Sequence, residues 1–309
     1  MGFLHILETI RNPVLDVLMQ GITLLGDETV FLVIALLVFW CINKKWGYYL
    51  MSIGFIGTIL NQFLKLAFRI PRPWVRDPNF TIVEGARAGA DGYSFPSGHT
   101  QSAVGTFGGI AHVTRYNWMR VVCWVLIVLI PFSRMYLGVH TPADVAVSFV
   151  IATALVFLLK PLMDRSDRKP DILYWMLFGM AVLGILFVLY VECWAFPADI
   201  DAANYASGRE NAYTLLGAVL GVNVVHYLDD QFLRFETQAP PLGQVLKLVL
   251  GLLVVLAVLE GLKIPFAALF GGHPAAEAVR YFLVVFVAGC IWPMTFGWFT
   301  DIAKKIERT

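Results

Sequence analysis

The sequence predicts an all-α protein, a polytopic bundle of transmembrane helices, and three observations predict it. Charged residues make up 15% of the 309 residues and apolar ones 58%, whereas a soluble chain is about a quarter charged. Apolar segments recur from end to end, many of them near the roughly 17 to 25 residues that cross a bilayer core as a helix. Basic residues gather in the short stretches between those segments, as they do in loops on one side of a membrane.

Taken in order, residues 3–25 alternate apolar residues with Glu8, Arg11, Asn12 and Asp16. They read either as an interfacial amphipathic helix followed by a short span or as a poor first span. Gly26-Asp27 then turns the chain. Further spans are expected at 31–42, 48–68, 100–113, 119–138, 143–159, 172–193, 212–227, 245–259 and 278–299, the shorter ones extending by a turn, for ten helices in all. Lys44, Lys45, Arg115, Arg120, Lys160, Arg165, Arg168, Lys169, Lys304, Lys305 and Arg308 fall on one side if the helices alternate, and that side is the cytoplasm. Arg69, Arg72, Arg76 and Arg87 lie in an outward loop against this rule, so they require another job.

The polar run Asp164 to Asp171, DRSDRKPD, divides the chain into residues 1–163 and a C-terminal part at 172–309. A net charge of +1 gives no overall field for nucleic acid. Cys41, Cys123, Cys193 and Cys290 are scattered, which suits neither a disulfide framework nor a zinc site. The N-terminus lacks the pattern of a cleaved leader.

Three polar clusters emerge at helix ends on the outward side. In KLAFRIPRP, Lys65 sits near a helix end and Arg72 follows seven residues later, with Pro71 and Pro73 leading the chain out of the helix. In SFPSGHTQS, Ser97 and Gly98 precede a helix that starts near His99. The unpaired amides of such a start form a seat for an anion. In SRMYLGVHTPAD, Thr141 suits an N-cap and Pro142 the first helical position. Asp144 is then one turn past His140 and able to orient its imidazole. A lone arginine at a membrane helix end is ordinarily a snorkelling anchor, and His226 with Asn223 reads as interhelical hydrogen bonding. Three clusters on one face point instead to function, because charge beside hydrocarbon is costly.

At these residues the sequence resembles the type 2 phosphatidic acid phosphatase (PAP2) superfamily. Its three signature blocks are found complete and in order as Lys65 to Pro73, Pro96 to His99, and Ser133 to Asp144. The resemblance implies a six-helix phosphatase core with about four additional C-terminal transmembrane helices, whose role it leaves open. It implies His140 as nucleophile, Asp144 as its orienting carboxylate and His99 as general acid. Lys65, Arg72, Ser97, Gly98 and Arg134 would bind phosphate, with no metal and no cofactor. A neutral imidazole beside a carboxylate suits that chemistry. No carboxylate cluster suited to magnesium lies near the blocks.

The implied function is hydrolysis of the terminal phosphate of a lipid phosphate or polyprenyl pyrophosphate at the extracytoplasmic face of the cell membrane, the tails staying among membrane lipids. Tyr93, Phe95, Trp74 and Tyr136 read as ordinary belt residues at the membrane interface, with lining of the lipid-side approach as the alternative. A glucose-6-phosphatase-like sugar-phosphate phosphatase is the alternative within enzymes, and a lipid-headgroup binding or transport protein is the alternative outside them. Oligomeric state is not set by the sequence.

Overall fold

The computed structural model describes residues 1–306 and is helical throughout, with no strand among the described residues; Arg308 lies outside them. The ambiguous first segment forms two helices, α1 (Gly2–Thr9) and α2 (Pro13–Leu24). The break has a local cause: Asn12 caps α2 by accepting from the Leu15 amide, and Pro13 occupies the first position. After the Gly26-Asp27 turn comes α3 (Glu28–Leu37), which runs into a π-helical turn, Val38–Ile42. α2 and the α3 stretch meet at 46°, so together they make a bent pair. Next come α4 (Lys44–Phe68), the short α5 (Pro73–Arg76), α6 (Gly98–Val113), α7 (Asn117–Tyr136) and α8 (Pro142–Ser166). The C-terminal part adds α9 (Asp171–Cys193), α10 (Ala202–Leu228), α11 (Pro241–Gly261), α12 (Lys263–Leu269), α13 (Ala275–Phe286) and α14 (Phe296–Ile306).

Among the described residues six helical stretches are long and apolar enough to cross a membrane, and seven if the bent pair is one span. Three segments expected to span fall short of that standard by themselves: the 31–42 stretch meets it only together with α2, and the other two are α6 and α10. α6 has only 16 residues, and the apolar stretch of α10 is diluted by Asn211, Asn223 and His226.

The chain divides into two compact units that interleave along the sequence. One comprises Met1–Leu32, Leu50–Pro161 and Ala195–Gly208; the other comprises Val33–Tyr49, Leu162–Trp194 and the chain from Arg209 onward. In the first, Met19, Ala86, Ala90, Tyr136, Leu137 and Val139 form a core beneath the loop that carries His140. Leu4, Leu7 and Phe80 form a second cluster that seats α1. Polar contacts fix the link between α1 and α2: Arg11 donates to the carbonyls of Thr81 at 2.7 Å and Tyr136 at 2.9 Å. Of the four aromatic residues read as belt residues or as lining of the approach, Tyr136 and Tyr93 are buried. The Tyr136 hydroxyl donates to Asp16 at 2.8 Å, so it serves the core instead.

In the second unit Trp40 is fully buried and donates to the Ala288 carbonyl at 2.9 Å. Lys44 pairs with Asp229 at 2.7 Å and lies 3.9 Å from the Phe235 ring centroid. The interhelical hydrogen bond expected of His226 is made by its neighbour: Asn223 donates to the Leu177 carbonyl at 3.0 Å. His226 is held between the rings of Tyr48 and Tyr174, and its Nε2 makes no hydrogen bond. α10 meets α13 so closely that a methyl group on Gly217 would lie 2.0 Å from the Ala278 carbonyl oxygen. Backbone cannot rotate away from that contact, so Gly217→Ala is expected to destabilise this unit by about 1 to 3 kcal/mol. The check is the unfolding temperature in detergent; an unchanged value would show that the two helices separate freely.

Candidate functional site

The three sequence clusters converge within the first unit. α4 ends at Phe68 because Arg69 adopts a left-handed conformation, φ 51°, while its amide still bonds to the Lys65 carbonyl at 2.9 Å. That conformation costs a residue with a side chain on the order of 1 kcal/mol. It redirects the chain so that the Ile70 carbonyl accepts from the Ser94 amide at 2.8 Å, joining the first block to the second. Lys65, 9% exposed, lies alongside Gly92.

Arg72 is 5% exposed, and each of its three nitrogens has a partner. Its Nε donates to the Gly92 carbonyl at 3.0 Å, its Nη2 to the Asp91 carbonyl at 2.6 Å, and its Nη1 to the Val139 carbonyl at 3.1 Å. Nη1 also lies 3.0 Å from His140 Nε2. A guanidinium only donates, so Nε2 must present its lone pair, and the neutral ring carries its proton on Nδ1.

That Nδ1 faces Asp144 Oδ2 at 3.5 Å, an ion-pair distance and not a hydrogen bond. The same oxygen accepts from the Ser94 hydroxyl at 2.6 Å and the Thr141 amide at 2.8 Å. Thr141 in turn accepts from the Asp144 amide at 3.3 Å. Thr141 and Asp144 thus form a capping box at the start of α8, so the carboxylate that faces His140 also starts a helix.

Ser97 caps α6, its hydroxyl accepting from the amide and hydroxyl of Thr100 at 3.4 and 3.0 Å. Its amide donates to the Asp144 carbonyl at 3.2 Å, which ties the second block to the third. A methyl group on Gly98 would meet nothing within 4 Å, so the first turn of α6 borders open space. Arg134, 1% exposed, donates from Nη1 to Thr23 Oγ1 and from Nη2 to the Gly89 carbonyl, both at 3.0 Å. Its buried Nε has no partner. All eight residues singled out from the sequence therefore lie in this region.

His99 and His140 sit at helix ends, outside the spans. Burial, then Arg72, holds the His140 imidazole well below its usual value. Burial, then Arg134, pushes His99 down to about 3. Both rings are neutral near pH 7. Between about pH 6.5 and 3 the unfolded chain binds a proton at His99 that the folded chain does not, so this group's contribution to stability falls as pH falls through that window. Acidifying from pH 7 to 4.5 is therefore expected to lower the unfolding temperature of the wild type more than that of His99→Gln. Parallel decreases would show that His99 titrates normally.

Comparison with known proteins decides the family. The family model for the PAP2 superfamily matches residues 45–168. The chain is 33% identical over 172 residues to undecaprenyl-diphosphatase BcrC of Bacillus subtilis (strain 168), covering 51% of this chain and 83% of that protein. The chain belongs to the PAP2 superfamily. A second model, the transmembrane extension of PAP2 superfamily phosphatases, matches residues 213–305 of this PAP2 protein. It is also 30% identical over 175 residues to phosphatidylglycerophosphatase B of Bacillus subtilis (strain 168), covering 52% of this chain and 80% of that one. With sphingosine-1-phosphate phosphatase 1 of Rattus norvegicus the identity is 24% over 275 residues, 82% of this chain and 62% of that protein. No solved structure matches it significantly.

Sequence reasoning missed several groups at the site of this multi-pass membrane protein. They are Ser94 on Asp144, Thr23 on Arg134, the carbonyls of Gly89, Asp91 and Gly92, and Asp27, whose Oδ2 lies 4.0 Å from His99 Nε2. A serine three residues before Ser97 was the only local signal among them.

Proposed function

We propose that this PAP2 protein is a metal-independent phosphatase that removes the terminal phosphate of a lipid phosphate or polyprenyl pyrophosphate through a phosphohistidine on His140. The observation that carries the reading is the 3.0 Å contact between Arg72 Nη1 and His140 Nε2. It sets a phosphate-binding cation at the lone pair of a buried, neutral imidazole, where a nucleophile and its anionic target have to meet.

Nε2 attacks phosphorus, the N–P bond forms, and the P–O bond to the leaving group breaks. His99 gives its proton to the departing oxygen. Its low proton affinity in the free site is offset when the phosphate dianion arrives, since a nearby negative charge favours imidazolium. Asp144 faces the Nδ1 proton and supports the charge on the phosphorylated ring. Water then attacks, His99 takes its proton, the N–P bond breaks and inorganic phosphate leaves. Lys65, Arg72 and Arg134, with the hydroxyl of Ser97 and the amide of Gly98, hold the phosphoryl oxygens and offset their charge in the transition state.

The three relatives named above are phosphatases of lipid-linked phosphates by name, which favours a lipid substrate. The bias of basic residues to the opposite loops favours the extracytoplasmic face of the cell membrane. Residues 1–163 are taken as the phosphatase core and 172–309 as its extension, a division supported by the separate family matches at 45–168 and 213–305.

The test is phosphate release by the detergent-purified protein with chelator present, from a polyprenyl pyrophosphate, phosphatidic acid, phosphatidylglycerophosphate and glucose 6-phosphate. Turnover of one lipid well above the rest supports the reading. Turnover of the sugar phosphate alone would replace the lipid, and silence on all four would point to headgroup binding or transport. In the same assay His99→Ala is expected to slow release from an alkyl phosphate by about 10²- to 10⁴-fold and from a nitrophenyl phosphate far less. Equal losses on both would remove His99 as the acid.

A further inference from the structure

The α2–α3 turn reaches the start of α6. A methyl group on Gly26 would lie 2.5 Å from Ile130 Cγ2 and 3.2 Å from the His99 carbonyl oxygen, so only glycine allows the approach. The approach carries the next residue, Asp27, to His99. Its two carboxylate oxygens have separate partners: Oδ1 accepts from the Thr29 amide at 2.8 Å at the start of α3, and Oδ2 faces His99 Nε2 at 4.0 Å.

Charges of both signs gather near His99. Arg134 of α7, Lys65 of α4 and Arg72 of the α4–α5 link disfavour a proton on it, and Asp27 favours one; Glu28, the next residue, interacts with Lys65 and with Asp27. Its side chain is 44% exposed while the His99 side chain is 17% exposed. The pair therefore sits at the border of the buried site, where solvent weakens the attraction without abolishing it.

Resting on the phosphatase reading above, we propose that Asp27 is the positioning residue for His99: it faces Nε2, sets the ring so that Nδ1 serves the leaving oxygen, and supports the imidazolium. His140 and His99 then each have a carboxylate partner, Asp144 for the ring that gains phosphorus and Asp27 for the ring that carries the proton. The histidine that must bind a proton among three cations has its counter-charge built into a turn far from it in sequence.

Asp27→Asn isolates the charge, because asparagine keeps an oxygen for the Thr29 amide and caps helices as well as aspartate does. The experiment compares wild type, Asp27→Asn, Asp27→Glu and His99→Ala on dodecyl phosphate and 4-nitrophenyl phosphate across pH. The ratio of kcat/KM on the two substrates is the readout, since it is independent of the fraction of folded protein. Asp27→Asn is expected to lower the alkyl-to-aryl ratio roughly tenfold and to move the basic limb of the alkyl profile down by about one pH unit. Asp27→Glu is expected to restore both toward wild type. A wild-type ratio and an unmoved limb in Asp27→Asn, with His99→Ala still selective, would overturn the role of Asp27 alone. Silence of the wild type on both substrates and on the four phosphates named above would overturn the phosphatase reading and this inference with it.

Discussion

Replacing His140 with alanine is expected to lower phosphate release by on the order of 10⁴-fold or more while leaving the protein folded. The ring is 1% exposed, and Arg72 Nη1 keeps its bond to the Val139 carbonyl when the ring is gone, so no buried donor is orphaned. What disappears is the only proposed group that forms a bond to phosphorus. The measurement is single-turnover phosphate release, with rapid-quench detection of acid-labile, base-stable phosphoprotein in the wild type. Phosphoprotein of the same lability in His140→Ala, or turnover within tenfold of wild type, would remove His140 as the nucleophile.

Arg72→Lys is expected to be nearly as damaging as Arg72→Ala, with kcat reduced about 10²- to 10³-fold in both. Charge is not the deciding quantity here. The guanidinium holds the carbonyls of Gly92, Asp91 and Val139 while pointing Nη1 at His140 Nε2. A single ammonium on a flexible stem cannot fill a fork that spans the 91–92 segment and the loop before α8. The alanine variant should also unfold at lower temperature, because the buried Val139 carbonyl is left without this donor. The check is kcat, KM and unfolding temperature for both variants on the lipid that the wild type prefers. A lysine variant with wild-type kcat would show that a point charge suffices and that the forked contacts are structural only.

Much of the site is legible in the chain because its residues lie in short blocks beside helix ends. Helix geometry then dictates how they meet. Thr141 and Pro142 start α8, so Asp144 falls one turn past His140 whatever the rest of the fold does. Ser97 caps α6, so Gly98 lies in its first turn for the same local reason. The helical class follows from apolar segments that must satisfy their backbone polar groups internally once in a bilayer.

The tertiary structure decided what local rules leave open. Ser94 reaches Asp144 across 50 positions and Thr23 reaches Arg134 across 111, and neither pairing has a periodicity to betray it. Asp27, read from sequence only as part of a turn, gains its place beside His99 because Gly26 packs against α6 and α7. Tyr136, read from sequence as a belt residue or as lining of the approach, lies in the core beside Met19 of α2 and donates to Asp16. Sequence by itself determined the class, the long helices and the chemical blocks, since these depend on residues within a few turns of one another, but not the short α5 and α12. Which buried donor meets which acceptor depends on helix packing, and only the folded chain settles it.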